Sequence, residues 1–491
     1  MRHSPDSLDT APWELGDDKF HEECAVIGVL GHEEAAKFCY LGLYAMQHRG
    51  QEGAGIVSTD GVNMYPYRDM GLVADVFDDR VLAGLHGFGA IGHTRYATYG
   101  SKDWQNLQPF VANCGNDSFA LAHNGNLINA AELRQELEKT GALFASTSDS
   151  EVILHLVARE TDGGSVAQRL AKALKRVRGA YSLAVMTRDR LIAVRDPAGV
   201  RPLSLGRIGD AYIVASETCS FDLVGAQFIR DIEPGELVEI QLDGTVTSDF
   251  SLREGPKAFC VFEYIYFARP DSVVQGKNVY SVRKALGAQL AIEHPVEGDL
   301  VIPVPDSGVP AALGFAQQSG VPMEFGLIRN HYVGRTFIEP QQSIRDFGVK
   351  VKLNPNHSVL KGKRVIAVDD SIVRGTTCRK LVKMLRDAGA TEVHFRVSSP
   401  PTTGSCFYGI DTPSPEELIA AKNDLAAIKN YIGADSIGYL SLEGMYTAIA
   451  AGRENYCDAC FSGEYRLGRP VNDNSVGCSM PQAKPRSTIR R

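Results

Sequence analysis

The chain has 491 residues, of which 44% are hydrophobic and 22% are charged, so its composition is that of an ordinary globular protein. This length exceeds what one hydrophobic core usually supports, which predicts two or three domains. The net charge of -8 argues against a general nucleic-acid-binding protein, and no apolar run approaches the roughly 18 to 20 residues that a membrane-spanning helix needs.

Residues 1–23 form an acidic, proline-containing segment without a continuous apolar core. Such a segment is a poor secretory signal, and its composition is typical of a disordered leader. Without export we expect a cytoplasmic, reducing environment. The ten cysteines would then be thiols, metal ligands or catalysts rather than disulfides.

The leader ends at the stretch H-E-E-C-A-V-I-G-V-L, in which Cys24 separates acidic residues from an apolar run that predicts a buried strand. Two interpretations fit this position. Cys24 could be a small hydrophobic residue that starts a core strand. It could instead become a nucleophilic N-terminus after removal of residues 1–23. This stretch alone does not distinguish them.

Short strand-like runs dominate from residue 24 to about residue 250, and glycine and aspartate separate them. These runs are A-V-I-G-V-L, A-G-I-V-S, F-A-L-A-H, S-L-A-V-M, L-I-A-V and A-Y-I-V-A. Two stretches have helical character, E-E-A-A-K-F-C-Y-L-G-L-Y-A-M-Q and E-V-I-L-H-L-V-A-R-E. Ser148 or Asp149 is the predicted cap of the second helix. The mixture predicts layered sheets with helices packed on them.

From about residue 280 strands, loops and helices alternate. The strand-like runs are D-L-V-I-P-V-P, R-V-I-A-V and E-V-H-F-R-V-S-S. The helical stretches between them are V-P-A-A-L-G-F-A-Q-Q-S-G and C-R-K-L-V-K-M-L-R-D-A-G-A. This order predicts a parallel sheet with crossover helices. Residues 468–491 are polar and basic, which predicts a flexible tail.

The segment V-I-A-V-D-D-S-I-V-R-G-T-T, residues 365–377, joins an apolar strand to a helix through two carboxylates, hydroxyl groups and a glycine. Backbone N–H groups at a helix N-terminus attract phosphate, and Gly375 permits close approach. Asp369 and Asp370 would repel a phosphate, so we expect them to face sugar hydroxyls or Mg²⁺. A solvated Asp-Asp turn is the alternative.

A second strand–loop–helix junction, P-V-P-D-S-G-V-P, has Ser307 and Gly308 before a helix that opens with Pro310. Many α/β turns share this pattern, so the junction is weak evidence by itself. Together, the two junctions predict one ligand with phosphate groups at both ends and a diol between them.

The first junction resembles the phosphoribosyl pyrophosphate (PRPP) signature of type I phosphoribosyltransferases, and P-D-S-G resembles their pyrophosphate loop. The resemblance implies that Asp369 and Asp370 hold the ribose hydroxyls and, with Ser307, bind Mg²⁺. It implies that Mg²⁺-pyrophosphate faces the second junction, at Asp306, Ser307 and Gly308. It also implies a cradle for the 5′-phosphate at Ser371, Arg374, Gly375, Thr376 and Thr377.

The stretch Y-V-G-R-T-F-I, residues 332–338, resembles the mobile lid of the same family. Arg335 within it is a fitting cation for the leaving pyrophosphate. Lys350 and Lys352 could join it or could belong to a solvated surface. Closure of a lid would exclude water from the cationic transition state at ribose carbon 1.

Four stretches of the first half, with Cys24, resemble the class II glutamine amidotransferase domain, an N-terminal-nucleophile fold of stacked sheets between helices. These stretches are Q-H-R-G-Q-E-G-A-G, H-T-R-Y-A-T, A-H-N-G-N-L and S-T-S-D-S-E. By this resemblance Cys24 supplies a thiolate, and its own freed α-amino group is a suitable base at neutral pH. Asn124 and the N–H of Gly125 would form the oxyanion hole, and Arg49 would support the nucleophile.

The same resemblance implies that Arg95 binds the carboxylate of glutamine and that Asp149 binds its ammonium group. Each residue also has a structural interpretation. Arg95 could be an ion-pair partner, Asn124 and Gly125 a tight turn, and Asp149 a helix cap. Their joint occurrence after Cys24 favours the catalytic interpretation, with residues 1–23 as a propeptide.

The combination of both halves resembles the amidophosphoribosyltransferase family. The bridging segments V-R-D-P-A-G-V-R-P-L and C-V-F-E-Y-I-Y-F-A-R-P-D-S share this likeness. The resemblance implies a two-domain protein of the α/β and α+β classes. An N-terminal-nucleophile (αββα) glutaminase domain would span residues 24–257, and a type I phosphoribosyltransferase domain with a parallel sheet would span residues 258–467. The propeptide would be residues 1–23 and the flexible tail residues 468–491.

The implied reaction makes 5-phosphoribosylamine, glutamate and pyrophosphate from PRPP, glutamine and water, and it opens purine biosynthesis. Ammonia would pass internally between the two sites. The resemblance further implies one Mg²⁺ per subunit, feedback inhibition by purine nucleotides and a homotetramer.

Cys457 and Cys460 form a C-x-x-C pair, which redox and structural roles explain equally well. Some members of the family carry a [4Fe–4S] cluster, and their ligand pattern resembles Cys260, Cys406, Cys457 and Cys460. The resemblance implies one cluster per subunit. On ligand count alone, four thiolates could equally bind zinc.

Two alternatives keep part of this interpretation. The same glutaminase domain serves sugar isomerases and asparagine-type synthetases, but neither needs a PRPP cradle. The chain could also be an inactive PRPP- or nucleotide-sensing regulator on the same fold. It lacks a basic recognition segment and retains the predicted catalytic groups of both halves, which argues against that alternative.

Overall fold

We describe a computed structural model of the chain, for residues 24–96, 104–114, 117–161, 164–330 and 353–470. The predicted leader, the lid and the tail beyond residue 470 lie outside the described residues, and so do Arg335, Lys350 and Lys352. No helix in the described ranges is long and apolar enough to span a bilayer.

The first half of the chain contains two antiparallel sheets. In chain order its strands are β1 (Ala25–Leu30), β2 (Gly53–Thr59), β3 (Met64–Met70), β4 (Gly89–Arg95), β5 (Phe110–Cys114), β6 (Asp117–Leu127), β7 (Gly179–Met186), β8 (Arg190–Arg195), β9 (Ser204–Ile208), β10 (Ala211–Ala215), β11 (Gln227–Asp231), β12 (Leu237–Gln241) and β13 (Val246–Asp249). The first sheet has the order β11-β9-β10-β1-β4-β2-β3, and the second has the order β13-β12-β8-β7-β6-β5.

Helices cover the outer face of each sheet. In chain order they are α1 (Ala35–Ala45), α2 (Val73–Val76), α3 (Asp79–Gly84), α4 (Ala130–Lys139), α5 (Ser150–Arg159), α6 (Val166–Leu174) and α7 (Cys219–Val224). Single 3₁₀ turns add Gln47–Arg49 and Trp104–Asn106. The two stretches predicted as helices are α1 and α5.

Strand β1 shows why its sequence is apolar at every position. Val26 and Leu30 pack between the two sheets, whereas Ile27 and Val29 pack against the helical layer that contains α1. Successive side chains of a strand point to opposite faces, so a strand with both faces covered needs an unbroken apolar run. With α5 and α6 packed on the second sheet, the layers follow the order helix, sheet, sheet, helix. The predicted αββα architecture is confirmed.

The second half is built on a parallel sheet. Its strands, with the short ones around it, are β14 (Phe259–Cys260), β15 (Val273–Val274), β16 (Lys277–Asn278), β17 (Leu300–Pro303), β18 (Leu327–Arg329), β19 (Leu353–Pro355), β20 (Arg364–Asp369), β21 (Glu392–Val397), β22 (Ser436–Tyr439) and β23 (Tyr456–Cys457). The parallel order β17-β20-β21-β22 confirms the predicted sheet.

The helices of the second half lie on both faces of this sheet. They are α8 (Val279–Glu293), α9 (Val309–Ser319), α10 (His357–Leu360), α11 (Thr376–Asp387), α12 (Ile419–Lys422), α13 (Leu425–Ile432), α14 (Leu442–Ile449) and α15 (Ala459–Ser462), with a π-helix at Glu263–Phe267 and a 3₁₀ turn at Arg453–Asn455. Helices α8, α9 and α14 share one core with the sheet, while α11 and α13 share another on the opposite face.

One apolar core crosses from the second half into the first. It contains the π-helix, residues of α8 and α9, and Ala198 and Val200 of the first half. The backbone strengthens this junction, because the N–H of Ala258 donates to the oxygen of Ala198 at 2.8 Å and that of Cys260 to Val200 at 3.2 Å. The two halves are therefore packed together. Their division between residues 257 and 258 stays a prediction.

Helices α8 and α9 approach each other at glycines. A Cβ atom on Gly287 would lie 1.8 Å from the oxygen of Ala311, and one on Gly314 would lie 1.8 Å from the oxygen of Lys284. Backbone atoms cannot move aside as the end of a side chain can, so this packing requires glycine at both positions.

We expect Gly287→Ala to destabilise the protein by about 1–3 kcal/mol, because the added methyl group must push the two helices apart. Circular dichroism during thermal unfolding measures the change. Gly84→Ala, at the end of α3, is a matched control, because a Cβ at that position would have no atom of the described residues within 4 Å. Identical melting curves for Gly287→Ala and the wild type would contradict this packing argument.

A buried histidine in β4 makes stability depend on pH. Burial, helped by the charge of Arg95, lowers the pKa of His93 to about 3, although its bond to the carbonyl oxygen of His123 acts the other way. In the unfolded chain His93 takes up a proton near pH 6.5. Between these values the unfolded state binds more protons, so the free energy of unfolding falls as the pH is lowered from 6.5 towards 3.

Replacing His93 with glutamine should remove up to about 1.4 kcal/mol of this loss per pH unit. Denaturant titrations at several pH values between 7 and 4 compare the slopes of wild type and variant. Parallel slopes would mean that His93 does not contribute.

Candidate active sites

The predicted nucleophile lies beside the end of β4. Cys24 is buried, and its Sγ donates to the carbonyl oxygen of Tyr96 at 3.4 Å. Ala25 pairs with Thr94 in the β1–β4 ladder. This register brings Cys24 next to Arg95, the residue predicted to bind the carboxylate of glutamine.

The predicted oxyanion hole is linked through Ser216 to β1, the strand that directly follows Cys24. The Oγ of Ser216 accepts from the N–H of Val26 at 3.0 Å and from Nδ2 of Asn124 at 3.4 Å. Asn124 is fully buried, and its Oδ1 has no hydrogen-bond partner among the described residues. The φ angle of Gly125 is 145°, and a Cβ there would lie 2.1 Å from the oxygen of Ala180. Glycine is therefore required at position 125.

Arg95 and Asp149 are connected through a pair of polar residues. Nη1 of Arg95 donates to the oxygen of Asn106 at 3.0 Å. The side chain of Asn106 in turn donates to Oγ1 of Thr147 at 2.8 Å and accepts from its N–H at 2.9 Å. Thr147 is two residues from Asp149. The turn before α5 and the end of β4 therefore border one region, which is the arrangement that the predicted glutamine site needs.

Of the two residues predicted as the cap of helix α5, Ser148 and Asp149, the side chain of Asp149 does not cap it. It occupies the N-cap position, but its carboxylate accepts from the N–H of Leu127 at 2.9 Å and lies 3.7 Å from Nδ1 of His123. Burial opposes ionisation, yet the contacts with His123 and Leu127 outweigh it and hold the pKa of Asp149 below its usual value. Ser148 accepts instead from the N–H of Ser150, at 3.3 Å. The Asp149 carboxylate therefore contacts β6, the strand that carries Asn124 and Gly125 (the oxyanion strand), and it accepts from Oγ of Ser150 at 3.1 Å but from no backbone N–H of its own helix.

Arg49 connects Cys24 to two glutamates that the sequence analysis did not identify. Its Nε donates to the carbonyl oxygen of Cys24 at 3.4 Å. The other guanidinium nitrogens pair with Glu217 and, at 2.6 and 3.0 Å, with Glu263. The segment that contains Glu263 resembles the family in sequence, but no role was predicted for either glutamate. Nothing in the local pattern indicates that this carboxylate reaches the first half.

The two predicted phosphate-binding junctions lie side by side. Each follows the carboxyl end of a parallel strand, and β17 and β20 are neighbours. The N–H of Val304 donates to the oxygen of Val368 at 2.9 Å. A Cβ on Gly308 would lie 2.6 Å from that same oxygen, so the first loop touches the second. Ligands of open parallel sheets bind at this edge.

Buried oxygen atoms without partners lie in both loops. Asp369 and Asp370 are almost completely buried, and Oγ of Ser371 donates to Oδ1 of Asp370 at 2.6 Å. The other oxygen of Asp370 and Oγ of Ser307 make no hydrogen bond with the described residues. Leaving such groups unpaired is costly, so these two oxygens suit a hydroxyl-bearing or cationic ligand.

The turn into helix α11 has the form expected of a phosphate cradle. Gly375 has a φ angle of 79° at the N-cap position, and a Cβ there would lie 2.8 Å from Cδ1 of Ile419. Thr376 and Thr377 form the first turn of the helix. Arg374 lies 3.3 Å from Glu417. Asp306, in the other loop, pairs with Arg329 at 2.5 Å, a contact that the sequence analysis did not predict.

Four cysteines are neighbours around the pair formed by β14, near the start of the second half, and β23, near its end. The parallel pairing of β14 with β23 places Cys260 opposite Cys457. The carbonyl oxygen of Cys460 accepts from the N–H groups of residues 403 and 404, which brings the loop of Cys406 alongside. Burial raises the pKa of Cys457 to about 12, and burial together with the other three thiols raises that of Cys460 well above its usual value.

The four thiols are close neighbours, but they do not form a compact site for a single ion. Within the described ranges, no three His, Cys, Asp or Glu side chains are grouped closely enough to hold a metal ion.

Two family models match the chain. The glutamine amidotransferase domain matches residues 93–222, and the phosphoribosyl transferase domain matches residues 272–401. An amidophosphoribosyltransferase of Rhizobium etli is 52% identical over 462 residues, 92% of this chain and 93% of the relative. One of Bacillus subtilis is 50% identical over 450 residues, 91% of this chain and 94% of the relative.

Two solved structures have the same overall fold. One is described as the allosteric regulatory enzyme of purine biosynthesis, with a TM-score of 0.86, 49% identity, and coverage of 90% of this chain and 96% of that chain. The other is the glutamine PRPP amidotransferase of B. subtilis in complex with ADP and GMP, with a TM-score of 0.87, 48% identity, and coverage of 92% and 98%.

These matches extend over both halves, and the relatives they name are enzymes. They therefore argue against the alternative of an inactive regulator. This chain belongs to the amidophosphoribosyltransferase family and is an enzyme in which a glutamine amidotransferase domain is joined to a phosphoribosyltransferase domain.

Proposed function

We propose that this chain transfers the amide nitrogen of glutamine to carbon 1 of PRPP, with water, to give 5-phosphoribosylamine, glutamate and pyrophosphate at the start of purine biosynthesis. One observation carries the proposal. Asn124 is linked through Ser216 to β1, the strand that directly follows Cys24, and two adjoining phosphate loops occur in the same packed chain. A glutaminase or a phosphoribosyltransferase alone would need only one of them.

In the glutaminase half, Cys24 attacks the amide carbon of glutamine, and its α-amino group takes the thiol proton and passes it to the leaving ammonia. Water then hydrolyses the thioester to glutamate. Asn124 and the N–H of Gly125 stabilise the negative oxygen of the tetrahedral intermediates. Arg95 and Asp149 hold the two charged ends of glutamine.

The α-amino group exists as a base only after cleavage before Cys24, so removal of residues 1–23 belongs to the proposal. Residues 407–409 support the internal passage of ammonia between the halves. Gly409 lies against the backbone of Gly125, and Asn126 donates to the oxygen of Phe407 at 2.9 Å. The second half therefore borders the oxyanion strand. Ammonia released there need not enter bulk water.

In the phosphoribosyltransferase half, Asp369 and Asp370 bind the ribose hydroxyls, and the loop from Ser371 to helix α11 binds the 5′-phosphate. Its contributing residues are Ser371, Arg374, Gly375, Thr376 and Thr377. The unpartnered oxygens of Ser307 and Asp370 fit a Mg²⁺ site shared with Asp369. Bound Mg²⁺ would neutralise charge on the leaving pyrophosphate, which Asp306, Ser307 and Gly308 face. Arg335 and Lys352 are proposed to close over it.

We infer that Cys260, Cys406, Cys457 and Cys460 would hold the [4Fe–4S] cluster that the family resemblance implies. Cys260 lies opposite Cys457, and the other three thiols help to raise the pKa of the Cys460 thiol, so the four belong to one group of neighbouring thiols. Four cysteine thiolates are the usual ligands of such a cluster. When bound, the cluster would cross-link three segments of the chain.

Regulation and assembly are proposed by analogy with relatives. The B. subtilis structure was determined with ADP and GMP, which supports feedback inhibition by purine nucleotides here. A homotetramer in the cytoplasm is the proposed state. Neither nucleic acid nor a membrane is expected to bind.

Cys24→Ala should lower glutamine-dependent formation of phosphoribosylamine by at least about 100-fold and leave the ammonia-dependent reaction within about twofold of wild type. The reason is that free ammonia bypasses the glutaminase half. Pyrophosphate release with glutamine or with ammonium chloride measures both reactions. Intact-mass analysis of the active wild-type enzyme should show Cys24 as the first residue, and a retained leader would contradict the assigned base.

Asp370→Asn is the matched comparison in the other half. It should abolish both reactions, because either nitrogen donor needs bound PRPP. Loss of both reactions in Cys24→Ala, or survival of the glutamine reaction, would show that the halves are wrongly assigned.

Anaerobically purified protein should absorb broadly in the visible range and contain about four irons with acid-labile sulfide per subunit. Cys406→Ser should lower that iron content, whereas Cys39→Ser should not. Cys39 is buried, and its Sγ donates to the oxygen of Ala90 at 3.4 Å within the first half, away from the four-cysteine group. A colourless wild-type protein with one zinc per subunit would rule the cluster out.

A further inference from the structure

The guanidinium group of Arg49 is buried between the nucleophile and the second half of the chain. The side chain of Arg49 is 1% exposed. The 3₁₀ turn that contains Arg49 lies close against β4, which is possible because Gly50, directly after the turn, has no Cβ to collide with the backbone of Thr94 and Arg95. One face of the group, at Nε, points to the carbonyl oxygen of Cys24. The other nitrogens point away from Cys24, towards carboxylates.

One of these carboxylates comes from outside the glutaminase half. Glu263 lies in the π-helix and is fully buried. It accepts two bonds from Arg49, at 2.6 and 3.0 Å, and lies 3.5 Å from Arg201. Neither matched domain model includes position 263, which falls between residues 222 and 272. The residue is therefore part of the junction between the halves.

The other carboxylate joins the same junction from the first half. Burial opposes the ionisation of Glu217, but His48 and Arg49 outweigh it and hold its pKa well below the usual value. Glu217 also accepts from the N–H of Arg269 at 2.9 Å and from Oγ of Ser272 at 2.7 Å. It directly follows Ser216, which contacts both the nucleophile strand and Asn124.

Two buried arginines thus pair with two buried glutamates, and His48 also contacts Glu217 at 2.8 Å. Arg201 joins the group through Glu263, and its Nε and Nη2 donate to the oxygen of Tyr408 at 3.1 and 2.9 Å. A buried charge is costly unless it is paired, and a two-point contact with a carboxylate fixes the plane of a guanidinium group. Because Nε–H lies in that plane, the contact with Glu263 determines whether Arg49 reaches the Cys24 carbonyl.

We propose that Glu263 is a positioning residue for the glutaminase nucleophile, since it orients Arg49 against the carbonyl group of Cys24. This inference rests on the proposed role of Cys24. It makes the glutaminase centre dependent on a side chain that the junction with the second half supplies. Misplacement of a nucleophile by a fraction of an ångström lowers kcat more than it weakens substrate binding.

The test is Glu263→Gln, which keeps the shape of the side chain but turns one acceptor into a donor facing Arg49. We expect the glutamine-dependent kcat to fall about tenfold or more, with the KM for glutamine within about threefold of wild type. The ammonia-dependent rate should stay within about twofold. The alkylation rate of Cys24 by iodoacetamide should fall with kcat.

Glu236→Gln is the control, since the same substitution is made at another fully buried carboxylate that pairs with an arginine. Glu236 binds Arg230 at 2.7 Å and contacts neither Arg49 nor Cys24 among the interactions described. It should change stability without changing the ratio of the glutamine rate to the ammonia rate. Glu263→Asp, which keeps the charge, should recover part of the lost kcat.

A parallel fall of both reactions in Glu263→Gln, or an unchanged glutamine kcat, would overturn the inference. If Glu263→Gln does not fold, Glu263→Asp must show the same selective loss in milder form, and its absence would be equally decisive. A wild-type enzyme without any glutamine-dependent activity would instead refute the proposed function, so the two failures are distinguishable.

Discussion

The need to pair buried charges governs the junction between the two halves. Arg49, Arg201, Glu217 and Glu263 are all almost completely enclosed, and each would be costly to bury without its partners. Arg49 pairs with Glu217 within the first half, whereas the contacts of Arg49 and Arg201 with Glu263 require the π-helix to pack against that half. The same junction contains the apolar core that both halves share. Charge balance and apolar burial therefore select one relative placement of the two domains.

That placement brings chemistry from different parts of the chain to adjoining surfaces. Residues 407–409 border the oxyanion strand at Gly125 and Asn126, and the neighbouring Cys406 belongs to the four-cysteine group. Within the second domain, the parallel strands β17 and β20 align the two phosphate loops. Each sheet has both faces covered, so its loops are the parts free to carry polar groups.

The phosphate loops contain buried oxygens without partners. Those of Ser307 and Asp370 make no hydrogen bond with the described residues, and both lie at the edge of the sheet where ligands of parallel sheets bind. In contrast, the carboxylate of Asp149 forgoes a helix cap and binds the backbone of Leu127. In both places a local stabilising hydrogen bond is missing, since the phosphate loops leave oxygens unpaired and helix α5 lacks a side-chain cap from Asp149. That pattern is typical of functional sites.

The sequence by itself determined the elements and the local sites of this protein. Unbroken apolar runs such as β1 predicted strands buried on both faces, and Asp369 to Thr377 predicted a phosphate cradle, because these signals lie within a few consecutive residues. The resemblance to a known family supplied the proposed roles of Cys24, Arg95 and Asn124. The tertiary structure alone showed that Asp149 faces Leu127 and that Glu217 and Glu263 enclose Arg49. Those contacts join residues up to 214 positions apart. No local pattern specifies such a contact, since it depends on how two separately predictable domains pack against each other.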